Sequence, residues 1–93
     1  MTDADQTHDQ MMRRLRFRAW HRGTREMDYM MGCFFDRFAA GWNAEQIGWF
    51  ADLLKEEDPD VMAWAMGTAD VPDRFAGPQM DALKKLDFVS IAP

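Results

Sequence analysis

Met27, Met30, Met31, Phe34 and Phe38 set the terms on which this chain can fold. Their spacing of three and four residues lines them up along one side of an α-helix, whereas the side chains of a strand alternate between two faces. Gly23 precedes the stripe and Gly41 follows it, and glycine is the residue that most readily closes a helix. Thr24 can cap the start. A central helix with a wide apolar face is therefore expected, and the rest of the chain must supply what covers it.

The remaining segments read as further short helices. Met12, Leu15 and Ala19 make an amphipathic helix from Met11, with Arg13, Arg14, Arg16 and Arg18 on its charged side and Gly23 as its stop. Asn43, with Gln46 three residues on, resembles a capping box that opens a third helix burying Ile47, Phe50 and Leu54. Asp58-Pro59 supplies a capping carboxylate and then a proline suited to the first helical position. The helix it opens carries Val61, Met62, Trp64 and Ala65 and stops at Gly67. A connector from Thr68 to Gly77 leads to a last helix through Met80, Leu83 and Leu86. No segment alternates with the period of a strand. The expected fold is all-α, a single-domain compact bundle of about five short helices. Residues 1–10, with acidic Asp3, Asp5 and Asp9, read as a disordered polar tail. Residues 11–87 read as the helical domain and 88–93 as a C-terminal tail.

Composition narrows the function classes. A chain of 93 residues is one domain with a thin core. Seven Phe, four Trp and nine Met within 47% hydrophobic residues exclude a disordered chain. Apolar runs such as Val61 to Met66 are far too short to span a bilayer. The acidic start, Met1 to Asp5, has neither a signal core nor a transit pattern, so a soluble protein of a bacterial cytoplasm is expected. Cys33 is the sole cysteine, which excludes an intramolecular disulfide and a cysteine-based zinc site. Beside Gly32, Phe34 and Phe35 it reads as a packed small hydrophobe.

The net charge of −5 is unevenly spread: six of eleven basic residues, all arginine, fall between Arg13 and Arg25. From Glu45 to Asp73 eight acidic residues face only Lys55. Arginine suits bidentate carboxylate contacts and desolvated interfaces. Within the basic stretch lies His21-Arg22-Gly23-Thr24-Arg25-Glu26. Read plainly, it is a helix–helix corner with an Arg22–Glu26 surface ion pair. Gly23 at a helix start also offers a few free amides to an anion. No nucleophile–base–orienter set can be assembled from His8, His21 and the few Ser and Thr residues, so no enzyme activity is expected. Glu56-Glu57-Asp58-Pro59-Asp60 lacks the spacing and glycine of a calcium loop, and an acidic helix start explains it without a metal. A flavin or nucleotide site is equally unsupported, since no glycine-rich loop follows a strand. For the arginines, a solvated face, a nucleic-acid surface and a protein-docking surface all remain open, with the acidic net charge against nucleic acid.

Two blocks carry a family resemblance. The first is Arg22-Gly23-x-x-Glu26, followed by Met27-Asp28 and a helix ending in Gly32 and Phe34-Phe35. The second is Leu53-Leu54-x-Glu56-Glu57-Asp58-Pro59-Asp60, then Trp64 and Gly67. In order and separation they resemble the signature of the FAD assembly factors of succinate dehydrogenase, small helical proteins of bacteria and mitochondria also called succinate dehydrogenase assembly factor 2. The resemblance covers Arg13 to Gly67. It departs at His21, where many relatives carry a second basic residue.

The resemblance implies an assembly factor and not an enzyme. Its partner would be the flavoprotein subunit of succinate dehydrogenase, with that of fumarate reductase as a further client. A client histidine becomes joined to the 8α carbon of FAD; the flavin belongs to the client, so the factor has no cofactor of its own. A monomer without nucleic acid is expected. Carried over by position, Arg22, Gly23 and Glu26 form the centre of the docking surface, Thr24, Arg25 and Asp28 flank it, and Arg14, Arg16 and Arg18 widen it. Asp58-Pro59-Asp60 and Trp64 read as structural support. The rival readings are an antitoxin-like or nucleic-acid-associated regulatory protein using the arginine-rich first helix, and a carrier of free FAD.

Overall fold

A computed structural model describes residues 3–89, and the side chains from Thr7 onward. Five α-helices follow one another: α1 (Asp3–Trp20), α2 (Arg25–Phe38), α3 (Ala44–Leu53), α4 (Asp58–Met66) and α5 (Pro78–Lys85). Short 3₁₀ turns occupy Ala39–Gly41 and Asp73–Phe75. Among the described residues there is no strand, as the missing period-two pattern implied. None of these helices is long and apolar enough to cross a membrane.

The local signals act much as their chemistry requires. Thr24 Oγ1 accepts from the Met27 N–H at 3.2 Å and opens α2. Asn43 Oδ1 accepts from the Gln46 N–H at 2.9 Å while Gln46 Oε1 accepts from the Asn43 N–H at 2.8 Å, completing the capping box of α3. Gly67, at φ 78, closes α4, and the N–H groups of Thr68 and Ala69 both return to the Ala63 carbonyl.

Four boundaries differ from the sequence reading. The expected tail is already helical from Asp3, because nothing in residues 3–10 breaks a helix and acids near its start suit the dipole. Apolar spacing marks only the part that packs, and Thr7 to Gln10 are exposed. α2 ends at Phe38 and tightens into the 3₁₀ turn Ala39–Gly41, which takes in the glycine expected to end the helix. Glu57, not Asp58, precedes the first turn of α4 and makes no side-chain cap; the Asp58 carboxylate is committed elsewhere. Phe88, assigned to the C-terminal tail, is buried in the core, because the face of α2 needs one more ring. Residues 1–2 and 90–93 of the expected tails lie outside the described residues.

The core is built on Phe34, which is 1% exposed. Its ring meets Phe38 at 5.0 Å, Trp42 at 5.8 Å, Phe50 at 6.0 Å and Phe88 at 5.1 Å between centroids. One residue of α2 thus ties together the 3₁₀ turn, α3 and the C-terminal segment. A smaller contact, Trp64 on Phe75 at 5.5 Å, joins α4 to the connector, and Trp49 Nε1 donates to the Phe75 carbonyl at 3.1 Å.

α1 is held to α2 by a different device. Gly32 is buried in the middle of α2, and the Trp20 indole lies against it so closely that an added Cβ would fall 2.2 Å from the ring. From there Trp20 Nε1 donates to Asp36 at 3.3 Å. Arg16 reaches the same carboxylate through Nε at 2.9 Å and Nη2 at 3.2 Å. These contacts hold the last turns of α1 against the middle and second half of α2, and so fix how the two helices lie on either side of the corner.

Candidate functional site

The corner comprises His21, Arg22, Gly23 and Thr24, between the last residue of α1 and the first of α2. Gly23 is exposed and has φ +113, a conformation that strains any residue with a Cβ. Space is not the restriction, since an added Cβ would meet nothing within 4 Å. The loop is held from inside by Asp28, whose Oδ1 accepts from the N–H groups of Arg22 and, at 3.4 Å, Gly23. Asp28 was expected to flank a docking surface; in the structure it braces the corner. The Gly23 amide offered to an external anion in the sequence reading is therefore already bonded. An acidic residue in the first turn of α2 is also favoured by the helix dipole.

Arg22 turns inward. Its Nε and Nη2 donate to Asp58 Oδ1 at 3.1 and 2.9 Å, and its side chain is 14% exposed. The Arg22–Glu26 pair of the plain reading is absent, because α2 begins at Arg25 and leaves Arg22 outside the helix. The two sequence blocks instead meet through Arg22 and Asp58, which ties the corner to the start of α4. Removing one partner leaves a largely buried charge without its counterpart. Asp58→Ala is accordingly expected to cost about 1–2 kcal/mol, reduced from the fully buried case because the carboxylate keeps contact with water. Urea unfolding of Asp58→Ala, Arg22→Ala and the double variant measures it, with the double losing much less than the sum of the singles.

The outward side chains of the motif are a different set. Arg25 and Glu26 are exposed, and neither has an ion-pair or hydrogen-bond partner among the described residues. Arg14 and Arg18 on α1 likewise have no such partner among the described residues, Arg14 exposed and Arg18 half-buried. Arg16, grouped with them in the sequence reading, is engaged with Asp36 and lies 5.9 Å from the Trp20 ring centre. The Asp36 hydrogen bonds, and then its charge, raise the Arg16 pKa above its ordinary value.

His21 stacks on Phe17 with ring centres 3.9 Å apart and planes 16° from parallel. Its Nδ1 is 2.7 Å from the Phe17 carbonyl. A carbonyl only accepts, so Nδ1 carries the hydrogen and the ring orientation is set by α1. His21 and Trp20, with Thr24, Arg25 and Tyr29, surround an open cleft of about 510 Å³ over Gly23. A second groove of about 340 Å³ shares Arg25 and Tyr29 and is walled by Met30, Met62, Met66 and Leu86. Among the described residues no polar side chain is buried, so neither opening has the enclosed hydrogen-bonding groups that would orient a small ligand. The methionine groove was missed in the sequence, because Met62 and Met66 read simply as the apolar content of a helix.

The family model described as flavinator of succinate dehydrogenase matches residues 13–87. The FAD assembly factor SdhE of Acetobacter pasteurianus is 37% identical over 68 residues, which are 73% of this chain and 62% of that protein. The chain therefore spans somewhat under two thirds of the length of this curated relative. No solved structure matches it. A match that runs through the Gly23 corner, the Asp28 brace and the Asp58 that Arg22 grips makes this chain a member of the succinate dehydrogenase flavinator family.

Proposed function

We propose that the protein binds the flavoprotein subunit of succinate dehydrogenase and promotes the covalent attachment of FAD to a histidine of that subunit. The histidine and the flavin both belong to the client, and the bond forms between them without a catalytic group from this chain. What this chain contributes is orientation, since holding two groups in attack geometry removes much of the entropic part of a barrier. It must also prefer the immature client over the finished one, because a partner that binds both equally shifts no population.

The observation that carries this reading is the construction of the corner. Asp28 and the Arg22–Asp58 pair hold its backbone from inside, while the open side of Gly23 is left bare beside the unpartnered Arg25. A preorganised surface of that kind binds another protein without first having to order itself. Gly23 admits the client backbone, Arg14, Arg18 and Arg25 meet its carboxylates, and Glu26 accepts from its donors. The flavoprotein of fumarate reductase is a second client to test in the same assay.

The test is covalent flavin fluorescence in a denaturing gel, with the flavoprotein subunit expressed alone, with this chain, and with the Gly23→Arg variant. Flavinylation is expected with the wild-type chain and is expected to fall to the level without it for Gly23→Arg. The variant should keep its helical circular dichroism, because the added side chain has open space and the backbone strain costs only about 1–3 kcal/mol. Equal flavinylation in all three samples would overturn the proposal. An unfolded Gly23→Arg variant would remove the support for a docking role at Gly23.

A further inference from the structure

Two large apolar side chains stand out among the described residues as exposed: Phe17 at 62% and Met66 at 61%. They lie on different helices, yet both adjoin the Gly23 corner. Phe17 carries the stacked His21 ring that forms one wall of the Gly23 cleft. Met66 belongs to the groove that shares Arg25 and Tyr29 with that cleft. Phe17, the cleft and the methionine groove therefore form one band across the surface, with a ring flanked by Arg13, Arg14 and Arg18 at one end and an apolar groove at the other. Scattered exposed hydrophobes need no explanation, but a pair that frames one polar corner does.

The charge along the band is the reverse of the molecule as a whole. Arg13, Arg14, Arg18 and Arg25 lie on it without partners, and Glu26 is the one acid among them without a partner, although the chain carries a net −5. Leu86, which closes α5 in the left-handed conformation at φ 54, forms part of the groove wall. Methionine walls adapt to more than one apolar shape.

We infer that the partner is gripped at two apolar points, Phe17 on one side of the Gly23 corner and the Met62–Met66 groove on the other, by a segment that carries two apolar side chains with carboxylates beside the first and between the two. This rests on the reading that the partner is the flavoprotein subunit, and it assigns the anchoring to residues outside the arginine–glycine–glutamate motif. Such anchors dominate interface energetics, while the surrounding arginines steer the approach.

Calorimetric titration of the purified flavoprotein subunit, before flavinylation, tests it. Phe17→Glu and Met66→Glu are each expected to weaken binding about tenfold or more, while Phe17→Leu and Met66→Leu stay within about threefold of wild type. All four should unfold at the wild-type temperature, since neither side chain is buried. Wild-type binding by both Glu variants, with Gly23→Arg failing to bind, would overturn the two-point grip and leave the functional reading standing. Loss at one site alone would equally overturn it. A wild-type chain that does not bind the flavoprotein at all would overturn the functional reading and this inference together.

Discussion

Phe34→Ala is expected to destabilise the protein by about 3–5 kcal/mol, the range seen when a buried aromatic is deleted from a core. The upper part of that range applies because the neighbours are themselves rings. Phe38, Trp42, Phe50 and Phe88 surround the site, and flat, stiff side chains cannot collapse into the space as an aliphatic cluster could. A domain this small has about 5–15 kcal/mol of stability in all, so the variant sits near the edge of folding. Its thermal midpoint should fall by roughly 15–30 °C. The denaturant slope should stay unchanged, since the same surface is exposed on unfolding. Phe17→Ala provides the contrast within the same chain: its ring is largely in water, and its stability should change by no more than about 0.5 kcal/mol. Equal effects at the two positions would mean that the aromatic cluster is not the centre of the core.

Gly32→Ala is expected to be destabilising by about 2–3 kcal/mol, against the sign of helix propensity. Alanine in the middle of a helix is ordinarily better than glycine by about 1 kcal/mol, so an isolated α2 would gain from the change. In the folded protein the new methyl would fall 2.2 Å from the Trp20 ring, and a fused ring pressed on a helix backbone can relieve that only by leaving its place. Trp20 must move, and with it go its bond to Asp36 and its edge contact with Tyr29 at 6.0 Å. The measurement is a urea titration together with tryptophan emission, which should shift to the red as the indole meets water. A more stable Gly32→Ala would show that α1 and α2 do not pack through this glycine. Trp20 and Tyr29 also line the cleft over Gly23, so the same change should alter the shape of the proposed docking surface.

The motif divides into two tasks. Arg22 and Asp28 look inward and hold the corner, while Gly23, Arg25 and Glu26 look outward. Under the proposed docking role, substitutions at the first pair would act through the shape of the corner, and those at the second set through contact with the client.

Much of this was legible in residue order alone. The stripe from Met27 to Phe38, the Thr24 cap and the Asn43–Gln46 box rest on interactions within a few residues, so their chemistry is complete in the local sequence. The family signature was legible for the same reason, as two short blocks at a set separation. Three things were decided only by the fold. The partner of Arg22 lies 36 residues away, and local spacing pointed to Glu26 instead. Gly32 reads only as one letter of the family signature until Trp20 is seen against it. Phe88 reads as a tail residue until the rings of Phe34 and Phe38 are seen to need it. Each depends on which surfaces meet when helices pack, and spacing along one helix carries no record of what another brings to it.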